Sequence, residues 1–191
     1  MKAAYLSGMT ALAVLAVTPA FAQDHVAPVT EYVNASVTPW ATDPVILAAL
    51  KDRNTANASR SQADIDALDA QWRAEVDAGS KPLIDEVMNS ALSKWLSAKQ
   101  EEAGGMLTEV FVMDNKGLNV GQSEVTSDYW QGDEAKWQNS FGKGAGAIFV
   151  DEVEKDESTQ VLQTQASMAI TDPATKEVIG AITVGIDVSG L

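Results

Sequence analysis

At Gly104-Gly105 the spacing of apolar residues changes from about 3.6 to about 2, and this switch constrains the fold more than any other feature of the chain. Before it, Ile84, Val87, Met88, Ala91, Leu92, Trp95 and Leu96 recur in steps of three and four. That spacing predicts one long helix over 82–102, with a continuous apolar stripe that must be buried against a neighbouring layer. After it, Leu107 to Met113 is a β-rich run, and the turn Asp114-Asn115-Lys116-Gly117 leads into a hairpin partner, Leu118 to Gly121. Ala147 to Val150 is a third strand, and Gln160 to Ile170 and Glu177 to Val188 are the longest. The fold class expected is therefore α+β, with helices first and a five-stranded antiparallel sheet after them.

The earlier part of the chain carries its own helix signals. Asp43-Pro44 is an N-cap followed by proline at the first helical position. Ser61 stands three residues before Asp64 at capping-box spacing, and Ile65, Leu68, Trp72 and Val76 then share a face. The extreme N-terminus reads differently. Lys2, an apolar run from Ala11 to Val17 and the small residues Ala20 and Ala22 predict a secretory signal peptide over 1–22. The run is shorter than the ~20 residues of a membrane span, so no membrane insertion is expected after cleavage. The organisation expected is signal peptide 1–22, helical segment 23–103 and sheet 104–191, exported to the periplasm.

Composition narrows the function. The chain has 27 Asp+Glu against 13 Lys+Arg in 191 residues, a net charge of −14. Cleavage after Ala22 removes Lys2 and makes this one unit more negative. Such a surface repels phosphate backbones and anionic lipid, so no nucleic-acid partner is expected. The absence of cysteine excludes disulfide frameworks and thiolate chemistry. A single histidine, His25, excludes His-based triads and multi-His metal sites, and no role is assigned to it. No metal and no cofactor are expected. The acidic run Asp151, Glu152, Glu154, Asp156 and Glu157 lacks the spacing of a calcium loop and reads as a solvated turn. Gly142-Lys143-Gly144-Ala145-Gly146 lacks the spacing of a phosphate cradle. No spacing singles out a carboxylate pair for acid/base work, so the chain is read as a non-enzyme.

The alternation of the last two strands points to a binding face. Val178, Ile182, Val184, Ile186 and Val188 form a bulky face suited to the helix stripe, whereas Ile179, Ala181, Thr183, Gly185 and Asp187 point to the other, whose small residues leave space. Between the second and third strands a long connection carries Tyr129, Trp130, Lys136, Trp137 and Phe141. Connections of that length are usually functional or disordered, and the aromatics argue against disorder. Aromatic walls with one cation suit a small anionic or zwitterionic molecule, with Lys136 on a carboxylate and Asp187 on an ammonium. The glycines at 142, 144 and 146 would let the loop close. The bland alternative is that these aromatics only pack the loop onto the sheet.

In order and spacing, the VFVMDNKG strand and turn, DYWQGDEAKW, GAIFVDEV and the closing KEVIGAITVGIDVSGL strand resemble the PAS-like extracellular sensor domains called Cache or PDC domains, over roughly 82–191. The resemblance implies a small-ligand pocket between the sheet and its long loop, and signalling through a membrane sensor protein. Matched position by position, it implies a ligand site of Tyr129, Trp130, Lys136, Trp137, Phe149, Asp151 and Asp187. Amino-acid-binding members carry Arg at the position of Lys136 and Tyr at that of Phe149, so the ligand class expected is a carboxylate, amine or zwitterion. The alternative function is a structural or protein-interaction module that docks a membrane sensor or self-associates. A homodimer through the Pro28–Val76 helices is compatible with either reading.

Overall fold

The computed structural model describes residues 25–155 and 161–191. The signal-peptide segment 1–22 lies outside the described residues, as do Asp156, Glu157 and Gln160. The chain folds as α+β, with helices α1 (Val26–Tyr32), α2 (Pro44–Asn57), α3 (Gln62–Val76), α4 (Pro82–Met88) and α5 (Ala91–Glu102) preceding the sheet. The strands are β1 (Leu107–Asp114), β2 (Asn119–Gln122), β3 (Ile148–Val150), β4 (Glu154–Lys155), β5 (Leu162–Thr171) and β6 (Val178–Asp187). A short helix α6 (Ala135–Gln138) sits in the β2–β3 connection. All pairings are antiparallel, in the order β2-β1-β6-β5-β3, with β4 on β5. Five of these strands are those expected from the sequence. The sixth, the two-residue β4, comes from the acidic run.

Helix starts follow local chemistry. The Asp43 carboxylate accepts from the Val45 amide with Pro44 at the first position, and Ser61 and Asp64 form the reciprocal capping box. One helix expectation is corrected, because the single long helix over 82–102 is two helices. Ser90 takes an extended conformation (φ −61°, ψ 158°) and its hydroxyl accepts from the Ser93 amide, which makes it the N-cap of α5. The Ser93 hydroxyl in turn donates to the Val87 carbonyl at 2.7 Å and fastens the break.

The break sends the apolar stripe to two places. Ile84 and Val87 of α4 join Ile65, Trp72, Leu118 and Tyr129 in a small cluster beside α3. Leu92 and Leu96 of α5 enter the main core, with Ile46 and Leu50 of α2, Val110 and Val112 of β1, and Ile182, Val184 and Ile186 of β6. A continuous helix would keep both halves on one line, and the kink at Asn89-Ser90 lets each half face its own core. Gly121 makes the close approach possible: a Cβ there would lie 2.7 Å from the Leu92 Cγ.

Glu75, near the end of α3, is buried and accepts from the Leu83 and Ile84 amides at 2.8 and 3.0 Å, and so caps α4 from outside. Burial alone would raise its pKa, but hydrogen bonds from Gln71 and from these two amides hold it below the ordinary value of 4.5. The stability contributed is fully present above that ordinary value and is lost as pH falls through the lower folded value. Glu75→Gln is expected to lower stability at neutral pH and to flatten its decline toward acid, read as the urea midpoint against pH in both proteins.

Candidate functional site

The face of the sheet turned away from α2 and α5 carries the polar and small residues. Strand register lines up Phe111, Thr183, Ser167 and Phe149 across β1, β6, β5 and β3. The next row is Glu109, Gly185 and Gln165, and the Asp151 amide donates to the Gln165 carbonyl beside it. A Cβ on Gly185 would lie 2.8 Å from the Glu109 Cγ, so its absence lets Glu109 lean across β6. Glu109 there accepts from the Gln165 side-chain amide at 2.7 Å.

The β2–β3 connection roofs this face and is fixed at its start and along its middle. At its start the Asp69 carboxylate of α3 accepts from the Tyr129 and Trp130 amides at 2.9 and 3.0 Å. The Trp130 indole donates to the Lys116 carbonyl at 2.8 Å. Farther on, Trp137 and Phe141 stack with centroids 4.7 Å apart and pack against Phe111, Met113 and Ala181. The Trp137 indole donates to the Asp114 carbonyl at 3.2 Å. Gly144 and Gly146 take positive φ (94° and 79°), so the loop's downstream end needs the left-handed conformation glycine adopts freely.

Between roof and sheet lie two adjoining hollows of about 260 and 230 Å³. Glu134, Lys136 and Gln165 line both. One also touches Asp151, Glu152 and Glu154, and the other Glu109, Phe111 and Asp128. The Lys136 ammonium stands 2.8 Å from Glu134, donates to the Gln131 side-chain oxygen at 3.1 Å, and lies 5.5 Å above the Phe111 ring. Burial raises the Glu134 pKa above its ordinary value, and Lys136 opposes that rise.

The seven residues expected from the sequence divide into four groups. Lys136 and Asp151 line the hollows. Trp137 and Phe149 lie on the same side of the sheet, Trp137 in the stacked roof and Phe149 paired with Ser167 in the strand register. Tyr129 and Trp130 serve the small helical cluster: the Tyr129 ring stacks on Trp72 with centroids 5.2 Å apart, and Trp130 packs against the same cluster. The structure therefore does not bring these two to the hollows. Asp187 ends β6, and its carboxylate accepts from the Ser189 amide at 2.9 Å and from the Ser189 hydroxyl. Those hydrogen bonds lower its pKa. The charge facing Lys136 is thus Glu134, two residues before it in the chain, and not Asp187. Sequence reasoning missed Glu109, Asp128 and Glu134 as lining residues. The parity of β1 carried the signal for Glu109, which alternates with the core residue Val110 alongside Phe111.

Among the described residues, no group of three or more His, Asp or Glu side chains is arranged to hold a metal ion, and no helix is long and apolar enough to cross a membrane. No protein-family model and no curated protein matches the chain. Solved sensor domains do. That of the V. cholerae histidine kinase DctB is similar at 14% identity and a TM-score of 0.49, covering 86% of this chain and 50% of that one. The E. coli DcuS sensor domain is similar at 14% identity and a TM-score of 0.47, covering 84% and 92%. The sensory domain of the Campylobacter jejuni chemoreceptor Tlp3, solved with isoleucine bound, is similar at 14% identity and a TM-score of 0.38, covering 83% and 62%. The chain spans half the length of the DctB domain it matches.

Because Lys136 is the counter-charge that restrains Glu134, Lys136→Met is expected to move the Glu134 pKa further up. A carboxyl-carbon NMR titration of the two proteins measures the shift, and an unchanged Glu134 value would contradict the pairing.

Proposed function

We propose that this chain is an exported sensor-type domain of the PAS-like Cache kind that binds a small organic cation in the hollows between the β2–β3 connection and the outer face of the sheet. The observation that carries the ligand class is the charge of the walls. Glu109, Asp128, Glu134, Asp151, Glu152 and Glu154 line the two hollows against one cation, Lys136, which is already paired with Glu134. Walls of one sign concentrate counter-charged solutes, so an amine is favoured over a free carboxylate. An α-amino acid would need a cation released from its partner to hold its carboxylate.

The architecture supports the sensor reading. Helices cover one face of a sheet ordered β2-β1-β6-β5-β3, and a long connection covers the other, as the sequence motifs of the resemblance imply. Such a domain has a binding role and no catalytic one. Residues 1–22 would direct it to the periplasm, where it would report ligand occupancy to a membrane sensor protein. The roof is the element that responds, since its downstream end turns on Gly144 and Gly146 while Asp69 anchors its start.

A thermal-shift screen of the processed protein against primary and quaternary amines, amino acids and dicarboxylates tests the reading. An amine at a hundredfold its Kd is expected to add about 2.7 kcal/mol of stability. The shift should shrink with added salt and in Glu109→Gln and Glu134→Gln. Stabilisation by dicarboxylates and none by amines would overturn the ligand class, and no response to any of them would overturn the binding role.

A further inference from the structure

The hollows under the roof already hold an ammonium, and it is the chain's own. Lys136 Nζ meets the Glu134 carboxylate at 2.8 Å, the Gln131 side-chain oxygen at 3.1 Å and the face of Phe111 at 5.5 Å. A carboxylate, an amide oxygen and an aromatic face together make a receptor for a primary ammonium. Two of its walls are fixed, since Phe111 and Gln131 are each 1% exposed. The Gln131 side-chain nitrogen donates to the Asp128 carboxylate at 2.6 Å, which leaves the oxygen of the same amide facing Lys136. Lys136 comes from α6, a four-residue helix of the roof, and its side chain is 13% exposed.

We propose that this cradle is the ammonium subsite of the cleft and that Lys136 is a tethered competitor, which a primary alkylammonium displaces in order to bind. The proposal rests on the amine reading of the cleft and assigns its atoms. Glu134 and the Gln131 Oε1 accept from the ligand's N–H groups, and the Phe111 ring faces its charge. Glu134 and Lys136 line both hollows, so a molecule entering either one meets the pair. Burial disfavours a bare Glu134 carboxylate, so the cradle keeps a cation in both states and exchanges one for the other. The opposite role, with Lys136 turned away to grip a ligand carboxylate, would leave Glu134 without its counter-charge. The displaced lysine has other partners, because one of its hollows also carries Asp151, Glu152 and Glu154 and its four-carbon stem is flexible. Its departure removes one contact between the roof and β1, which links occupancy to the roof. Two acceptor oxygens also set a selectivity. A quaternary ammonium carries the charge but has no N–H to give them.

The experiment titrates the purified protein and its Lys136→Met variant with n-propylammonium chloride and, separately, with tetramethylammonium chloride. Methionine keeps an unbranched stem and removes the ammonium. With the cradle free for about a tenth of the time in the unaltered protein, removing the competitor is expected to raise the n-propylammonium affinity about tenfold. Tetramethylammonium is expected to gain little. An equal gain for both cations would be the field of a lost charge and would overturn displacement, as would a variant that binds n-propylammonium no more tightly than the unaltered protein. NMR of the unaltered protein gives a readout that needs no substitution. As n-propylammonium saturates the site, the Lys136 ε-methylene signals are expected to lose the shift that the Phe111 ring current gives them. Signals that stay fixed at saturation would overturn the proposal and leave the amine reading standing. No binding of n-propylammonium by either protein would overturn both.

Discussion

The carboxylate of Asp114 is the interaction on which the layers depend. It is completely buried at the end of β1. One oxygen accepts from the Lys116 and Leu118 amides at 2.8 and 3.0 Å and shapes the β1–β2 turn. The other accepts from the Asn57 side-chain amide of α2 at 2.7 Å, and the Asp114 carbonyl accepts from the Trp137 indole. One residue thus joins the hairpin, the helical layer and the roof of the cleft. A buried charge is tolerated only when its lone pairs are taken up, and here the turn, a helix and their geometry supply the donors. Asn54, one turn earlier in α2, repeats the link by donating to the Ile179 carbonyl and accepting from the Asn115 amide.

With the hairpin fixed to α2, the two faces of the sheet acquire different tasks. Ile182, Val184 and Ile186 bury against helices, while Phe111, Thr183 and Ser167 face the roof, the last two hydrogen-bonded to each other at 2.8 Å. Gly185 is where β6 contributes to the cleft by having no side chain, because Glu109 and Gln165 meet across it. The polar floor is therefore assembled from β1 and β5, and the charge of the cleft follows from which carboxylates these strands and the acidic segment after β3 bring together.

Much of the fold was legible because its signals are local. Asp43-Pro44 and Ser61-x-x-Asp64 act within one turn of helix, and the alternation in β6 assigns its residues to two faces without reference to the rest of the chain. The break at Ser90 was hidden because the apolar steps of three and four run through it unbroken, and only the division of those residues between two cores reveals its purpose. Tyr129 was read toward the ligand because it stands in an aromatic loop. Its partner Trp72 and the carboxylate of Asp69 lie far upstream, and such long-range partners leave no periodic trace. Lys136 and Asp187 were assigned to the two ends of one ligand, whereas Glu134, two residues before Lys136, pairs with it directly. Asp114 looked like any turn aspartate, and its burial depends on Asn57.

The central claim is that the space under the roof is an amine site set by its carboxylates. Amide and indole NMR mapping of the labelled protein during titration with a small alkylammonium tests it most directly. The account predicts saturable shifts at Lys136, the Trp137 indole and the Gln165 side chain, with Trp72 and its cluster unmoved. Saturable shifts centred on the Trp72 cluster, or the same response to an alkyl carboxylate, would contradict it.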